Sequence, residues 1–223
     1  MRLPPDVSCT RLSSKSYRGR WNLDLRVASI GGIAVAVLLL AGCASRPAST
    51  PNRQWQQPCD DCIPGVVNFG KVTDKLWRGS QPDRASPEAF RRLEQAGVKT
   101  VINLRHDHDD YPLLANTNMQ YLWLPMRAWD PDTEELVLFL STVRRLLADP
   151  ERWPVYVHCA EGRDRTGYAV ASYRIVEQNW EADDAIHEMF DYRFNTVWFA
   201  NPGFLRGLKE KSPEVQARTR RAP

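Results

Sequence analysis

Charge of one sign is what this chain lacks once its first 42 residues are set aside. Over all 223 residues the formal charge is +3, from 30 Lys/Arg and 27 Asp/Glu. Residues 1–42 hold Arg2, Arg11, Lys15, Arg18, Arg20 and Arg26 against Asp6 and Asp24, which leaves 24 basic residues facing 25 acidic ones. A near-neutral body has no electrostatic footprint for nucleic acid, so that partner class is excluded. The apolar run at 27–41 is also short for a spanning helix, which needs about 20 residues, but suits a signal-peptide core. There is no internal repeat. Cys-x2-Cys occurs once, at Cys59 and Cys62, without the second half that a zinc site needs, so a zinc or redox role for the pair is weakly supported. Arg105-His106-Asp107-His108-Asp109-Asp110 gathers acids and histidines, yet it reads as a solvated turn after a strand. No metal or organic cofactor is expected.

What the chain does have is concentrated in Val155-Tyr156-Val157-His158-Cys159-Ala160-Glu161-Gly162-Arg163-Asp164-Arg165-Thr166-Gly167. A β-branched apolar run ends in a cysteine, a polar loop follows, and an amphipathic helix opens near Thr166. Such a loop turns successive N–H groups inward at a helix N-terminus, where unpaired donors and the macrodipole favour an anion. Ala160, Glu161, Gly162, Arg163, Asp164 and Arg165 would form a nest for a tetrahedral phosphate, with Gly162 permitting a positive φ. Arg165 would lay a bidentate fork over two phosphate oxygens. The same features favour a thiolate at Cys159, a nucleophile beside the bound phosphorus. Arg163 adds a charge toward substrate, partly offset by Glu161 and Asp164. His158 should face away from Cys159 and order the loop through a buried hydrogen bond. Thr166 either donates to the sulfur or caps the helix. The bland alternatives are a buried structural cysteine, or a loop that binds phosphate without chemistry.

His158, Cys159, Arg165, Thr166 and Gly167, as His-Cys-x5-Arg-Thr-Gly, resemble the signature loop of cysteine-dependent protein-tyrosine and dual-specificity phosphatases. Leu76-Trp77-Arg78-Gly79-Ser80-Gln81-Pro82 and Gly97-Val98-Lys99-Thr100-Val101-Ile102-Asn103-Leu104-Arg105 resemble the opening of the compact bacterial and fungal atypical dual-specificity branch. The likeness spans roughly 66–208, a length suited to one domain. It implies a phosphocysteine mechanism and a general acid Asp on a mobile loop upstream of the cysteine. Met126-Arg127-Ala128-Trp129-Asp130-Pro131-Asp132 offers two candidates. Asp132, with Glu135 three residues on, has the form of a capping box. Asp130 is held extended by Pro131 and is favoured, both remaining open. Arg78, Ser80 and Gln81 either rim the phosphate site or, the preferred reading, brace loops. Phosphotyrosine protein is the first substrate choice. An inositol or other small-molecule phosphate is the alternative, lowered because Ala160 stands where lipid-phosphatase loops often carry Lys. A catalytically silent phosphate-binding lipoprotein is the reading from another class, and a rhodanese-like transferase is disfavoured by the Arg-Thr-Gly helix start.

Leu40-Ala41-Gly42-Cys43, closing the 27–41 run, resembles the lipobox of bacterial lipoproteins. That implies a signal peptide over 1–42, lipid on Cys43, and, with Ala44 next, sorting to the outer membrane facing the periplasm. An uncleaved transmembrane anchor is the rival. In an exported chain, with Cys9 removed, Cys43 acylated and Cys159 reactive, Cys59 and Cys62 are left to form a local disulfide. They sit in a Pro/Gln/Ser/Thr-rich flexible tether, 43–65.

The catalytic domain is expected over 66–209, as a three-layer α/β fold with a mainly parallel sheet and its ligand beyond a strand's carboxyl end. Strands are expected at 76–78, 98–104, 120–125 and 154–159. Helices should open at Ser86-Pro87, Thr133 and Thr166, then around Trp180 and Asn201, the last ending near Lys209. Phe190, Tyr192, Phe194, Trp198 and Phe199 read as core aromatics. Residues 210–223 read as a disordered tail. The chain is read as a monomer.

Overall fold

The strand-forming run Val155–Cys159 (β5) is the axis of the sheet in the computed structural model, which describes residues 53–82 and 87–222. The leader 1–42, the lipidation candidate Cys43, the tether's first part to residue 52 and Ser86 lie outside the described residues. The other strands are Gly70–Lys71 (β1), Leu76–Ser80 (β2), Thr100–Asn103 (β3) and Gln120–Trp123 (β4). They form one five-stranded sheet in the order β1-β2-β5-β3-β4. β5 runs parallel to β2 and β3, and β3 parallel to β4; only β1 is antiparallel. The last strand in the chain therefore fills the slot between β2 and β3, and all four parallel strands present their carboxyl ends on one side.

Period-two alternation splits β5 between two cores. Val155, Val157 and Cys159 face a large cluster built on Thr133–Ala148 (α2), Asp164–Val176 (α3), Ala182–Asp191 (α4) and Ala200–Arg221 (α5). Tyr156 faces the opposite cluster with Trp77 and the apolar side of Pro87–Gln95 (α1), namely Phe90 and Leu93. The result is a mixed three-layer α/β fold with a mainly parallel sheet. Local signals set the ends of the helices. Gly97, at φ +104°, lets the chain leave α1. Asp132 caps α2 by accepting from the N–H of Glu134 and Glu135.

Two expectations about the chain's ends are corrected. Residues 210–221 are not a disordered tail, because α5 runs unbroken to Arg221. Its buried positions Asn201, Leu205, Leu208, Ser212, Val215 and Thr219 recur every three or four residues, one continuous helical face. Three of the six are polar, and Pro213 reads as a breaker, which hid the face from a hydrophobicity pattern. Arg218 pairs with Glu134 and Gln216 donates to the Val176 carbonyl, tying this face to α2 and α3. Likewise, the described part of the tether is docked against the domain. Trp55 packs on Trp180 with ring centroids 6.1 Å apart and donates to Asp191. Tyr192 donates to the Gln56 carbonyl. Cys59 and Cys62 form a disulfide, and Cys59 exchanges two backbone hydrogen bonds with Phe69. Among the described residues no helix is long and apolar enough to cross a membrane.

Candidate active site

The loop between β5 and α3 wraps the mouth of a cavity of about 300 Å³ at the carboxyl edge of the sheet. Cys159, Ala160, Glu161, Arg163, Asp164 and Arg165 line it together with Ala128, Trp129, Asn195 and Trp198. Cys159 is 3% exposed and is the free cysteine of the described residues. The carbonyls of Cys159 and Ala160 point outward to the N–H of Gln81, at 2.8 and 3.3 Å. Among the described residues, no N–H from Ala160 to Arg165 donates to a protein acceptor. These unpaired donors, in the loop and the first turn of α3, leave partial positive charge at the helix N-terminus. Arg165 makes no ion pair among the described residues, and its Nε is buried without a partner. Thr166 Oγ1 is likewise buried and unpartnered.

Gly162 lies behind the loop rather than on the cavity wall. Its φ is +67°, and a Cβ there would meet the Gly79 carbonyl carbon at 2.3 Å and its oxygen at 2.5 Å. Only glycine combines that conformation with that approach to β2. The Gly162 carbonyl accepts from Asn68 Nδ2 at 3.0 Å and Arg78 at 3.1 Å. Arg78 is fully buried, its guanidinium 3.7 Å from the Tyr192 ring centroid, and burial pulls its pKa below the usual value. Ser80 accepts from the Val67 N–H, and Gln81 joins Arg105 to Asp110. Arg78, Ser80 and Gln81 thus contact loops, and none lines the cavity.

Arg163 does not project a free charge. It pairs with Glu161 at 3.1 Å and donates to the Arg193 carbonyl. Asp164 accepts from the Asn195 N–H at 2.9 Å, fixing the turn that carries Trp198. His158 lies on the face away from Cys159, stacked on Tyr156, with Nδ1 3.2 Å from the Cys159 carbonyl. Its Nε2 is 3.3 Å from Asp110, and burial drives its pKa down to about 3. Asp110 is fully enclosed, and burial raises its carboxyl to about 6. The segment 105–110 is therefore not wholly a solvated turn, because its last acid reaches back under β5. No three metal-ligating side chains cluster among the described residues.

The two acid candidates are separated by the structure. Asp132 is committed to the α2 cap through Oδ1, at 2.7 and 3.0 Å. Asp130 is exposed and pairs with Arg127 at 3.2 Å, with no other ion pair among the described residues. Its neighbours Ala128 and Trp129 line the cavity, and the Ala128 carbonyl is tied to the buried Asn201 side chain. The aromatic reading divides. Tyr192 and Phe194 are buried, Phe190 and Phe199 are exposed, and Trp198 stands on the cavity wall 6.3 Å from Trp129. Asn195, Trp129 and Trp198 were not legible as wall residues, since the sequence carries no sign that these two segments meet.

The family described as "DSP-PTPase phosphatase fused to NAD+ Kinase" matches residues 68–206. The chain is 35% identical over 146 residues to the dual specificity protein phosphatase TpbA of Pseudomonas aeruginosa, covering 66% of this chain and 62% of that one. It thus spans less than two thirds of that relative's length. It is 28% identical over 131 residues to an inositol diphosphatase, DSP5, of Arabidopsis thaliana, covering 54% of this chain and 59% of that protein. A solved structure of P. aeruginosa TpbA in complex with pTyr superposes with a TM-score of 0.60 at 27% identity, covering 78% of this chain and all of the other.

Proposed function

Since the chain belongs to the dual-specificity protein-tyrosine phosphatase family, we propose that it hydrolyses phosphomonoesters, phosphotyrosine in protein first among them, through a phosphocysteine at Cys159. The observation that carries this is that, among the described residues, no N–H from Ala160 to Arg165 has a protein acceptor, in the loop that lines the cavity together with Cys159. Cys159 Sγ, as thiolate, forms the S–P bond while the ester P–O bond breaks. The loop N–H groups and Arg165 hold the equatorial oxygens as charge develops on them. Asp130 gives its proton to the leaving oxygen, a role for which Asp132 is less free because its carboxylate caps α2. Water then attacks phosphorus, the S–P bond breaks, and Asp130 takes the water proton, releasing inorganic phosphate. These residues supply nucleophile, acid and charge stabilisation without a metal or cofactor.

Substrate choice follows from the walls. Trp129 and Trp198 offer aromatic faces to a ring-bearing ester. Arg163, already paired with Glu161, is poorly placed to receive the extra phosphates of an inositol polyphosphate. These features favour an aryl phosphate over the inositol alternative. The test is turnover of p-nitrophenyl phosphate by wild type and Cys159→Ser, followed by a panel of phosphopeptides and inositol phosphates. Vanadate should inhibit and EDTA should not. Cys159→Ser should lose roughly 10⁴-fold or more in rate while still binding tungstate. A Cys159→Ser protein that still turns over overturns the mechanism, and a silent wild type that binds phosphate makes the chain a binder.

Location is part of the same reading. We propose that Cys43 is lipidated and anchors the domain in the cell envelope, facing the periplasm. The lipobox-like Leu40-Ala41-Gly42-Cys43 supports this, and the Cys59–Cys62 disulfide suits an oxidising compartment. Mass spectrometry of membrane-extracted protein decides it, since an intact N-terminus upstream of Cys43 would refute lipidation there and favour an uncleaved transmembrane anchor.

A further inference from the structure

We propose that Asp60 is a positioning residue for the phosphate loop, acting through Asn68 and Arg193 from inside the small ring closed by the Cys59–Cys62 disulfide. The proposal rests on the reading of residues 159–165 as that loop. Asp60 stands between the two cysteines and reaches across to two segments. Its Oδ1 accepts the Asn68 N–H at 2.9 Å, and its two oxygens take Arg193 in a bidentate pair at 3.0 and 2.8 Å. Asn68 is 1% exposed and sends Nδ2 to the Gly162 carbonyl at 3.0 Å and the Tyr192 carbonyl at 2.9 Å. Arg193, through its own carbonyl, accepts from Arg163 Nε at 2.5 Å. Arg78 also holds the Gly162 carbonyl and Gln81 the carbonyls of Cys159 and Ala160, and one carboxylate touches two further partners that grip the loop from outside, Asn68 at Gly162 and Arg193 at Arg163.

The grip matters because a trans peptide points its C=O and the next N–H in opposite directions. Drawing the Gly162 carbonyl out to Asn68 turns the Arg163 N–H the other way, toward the cavity. A rotated Gly162 peptide would instead present a carbonyl oxygen to the phosphate. Both intermediaries sit at positive φ, +57° at Asn68 and +63° at Arg193, a conformation asparagine tolerates but arginine adopts rarely, so that it depends, at Arg193 above all, on the surroundings that hold it. Asp60 supplies part of that hold at each. The disulfide and the paired Cys59 and Phe69 backbones fix where Asp60 stands. The Asp60–Arg193 pair is itself solvent-exposed, so its contribution to overall stability is small. The expected consequence is loss of anion affinity without loss of fold.

The test measures tungstate affinity by calorimetry, kcat and KM on p-nitrophenyl phosphate, and the thermal midpoint. The variants are Asp60→Ala, Asp60→Asn, the double variant Cys59→Ser/Cys62→Ser, and Asp61→Ala as control. Asp60→Ala should weaken tungstate and raise KM by roughly three- to tenfold, the range for losing one such hydrogen bond, with a near-unchanged midpoint. Asp60→Asn, which keeps an acceptor for the Asn68 N–H, should recover part of the affinity. The cysteine double variant should follow Asp60→Ala, and Asp61→Ala should match wild type. Wild-type tungstate affinity and KM in Asp60→Ala, or losses that merely track unfolding, overturn the proposal. If wild type binds tungstate but hydrolyses nothing, the hydrolase reading fails, and the Asp60 proposal is judged on tungstate alone. If wild type binds no tungstate, both fall.

Discussion

His158 and Asp110 meet beneath the β5–α3 loop, Nε2 to Oδ2 at 3.3 Å, with both side chains fully enclosed. Their titrations oppose each other. His158 would take a proton near 6.5 when unfolded but only at about 3 when folded, so its contribution is complete above 6.5 and is lost as pH falls toward 3. Asp110 runs the other way: its folded value of about 6 exceeds the unfolded 3.8, so its contribution is complete below 3.8 and is lost as pH rises through 6. Between 6 and 4 the two partly cancel. Asp110→Asn, which keeps the shape but removes the titration, should make urea stability fall more steeply on acidification across that window. Parallel pH profiles for wild type and variant would refute the coupling.

Asp130 and Asp132 should separate by leaving group. Asp130→Asn is expected to lose roughly 10²–10⁴-fold on an alkyl phosphate and far less on p-nitrophenyl phosphate, whose leaving oxygen needs little protonation. Asp132→Ala should cost about 1 kcal/mol of stability through the α2 cap and leave the ratio of alkyl to p-nitrophenyl phosphate turnover as in wild type. Reversed behaviour makes Asp132 the acid.

Gly162→Ala places a methyl group against the Gly79 backbone and strains a positive φ. Either β2 or the loop must move. Tungstate affinity should be lost, with stability down by roughly 1–3 kcal/mol. Retained affinity would show that the loop accommodates the change, and that its tight seat on β2 is dispensable.

Trp198→Ala should raise KM for aryl phosphates by roughly two- to tenfold, the scale of one aromatic contact, and leave alkyl phosphates nearly unaffected. An equal effect on both classes, read from parallel kinetics, removes the aryl preference.

Truncation after Lys209 removes the part of α5 that buries Val215 against the α2–α3 side. Burial of one such side chain contributes about 1.5–3 kcal/mol, so the thermal midpoint should drop by several degrees. An unchanged midpoint would return those residues to the status of a dispensable tail.

The Asp132 cap and the parallel β2–α1–β3 crossover were open to reading because each is local: a capping side chain beside its helix, an apolar run followed by an amphipathic one. The α5 extension was not, since Asn201, Ser212 and Thr219 are buried by what packs against them rather than by their own hydrophobicity. Asp110 escaped for the converse reason. Its neighbours Asp107 and Asp109 look alike in sequence, and only the closure of β3 on β5 buries one of the three.

By itself the order of residues determined the strand, loop and helix around Cys159, because that stretch is contiguous and its backbone conformation follows from β-branched, glycine and helix-opening residues in succession. Which groups hold the loop in shape was decided only by tertiary packing. Asn68 stands 94 residues from Gly162, and Trp129 meets Trp198 across two separate turns. No local pattern encodes those encounters. They exist because β5 enters the sheet last, between β2 and β3, and gathers the loops of four parallel strands onto one edge.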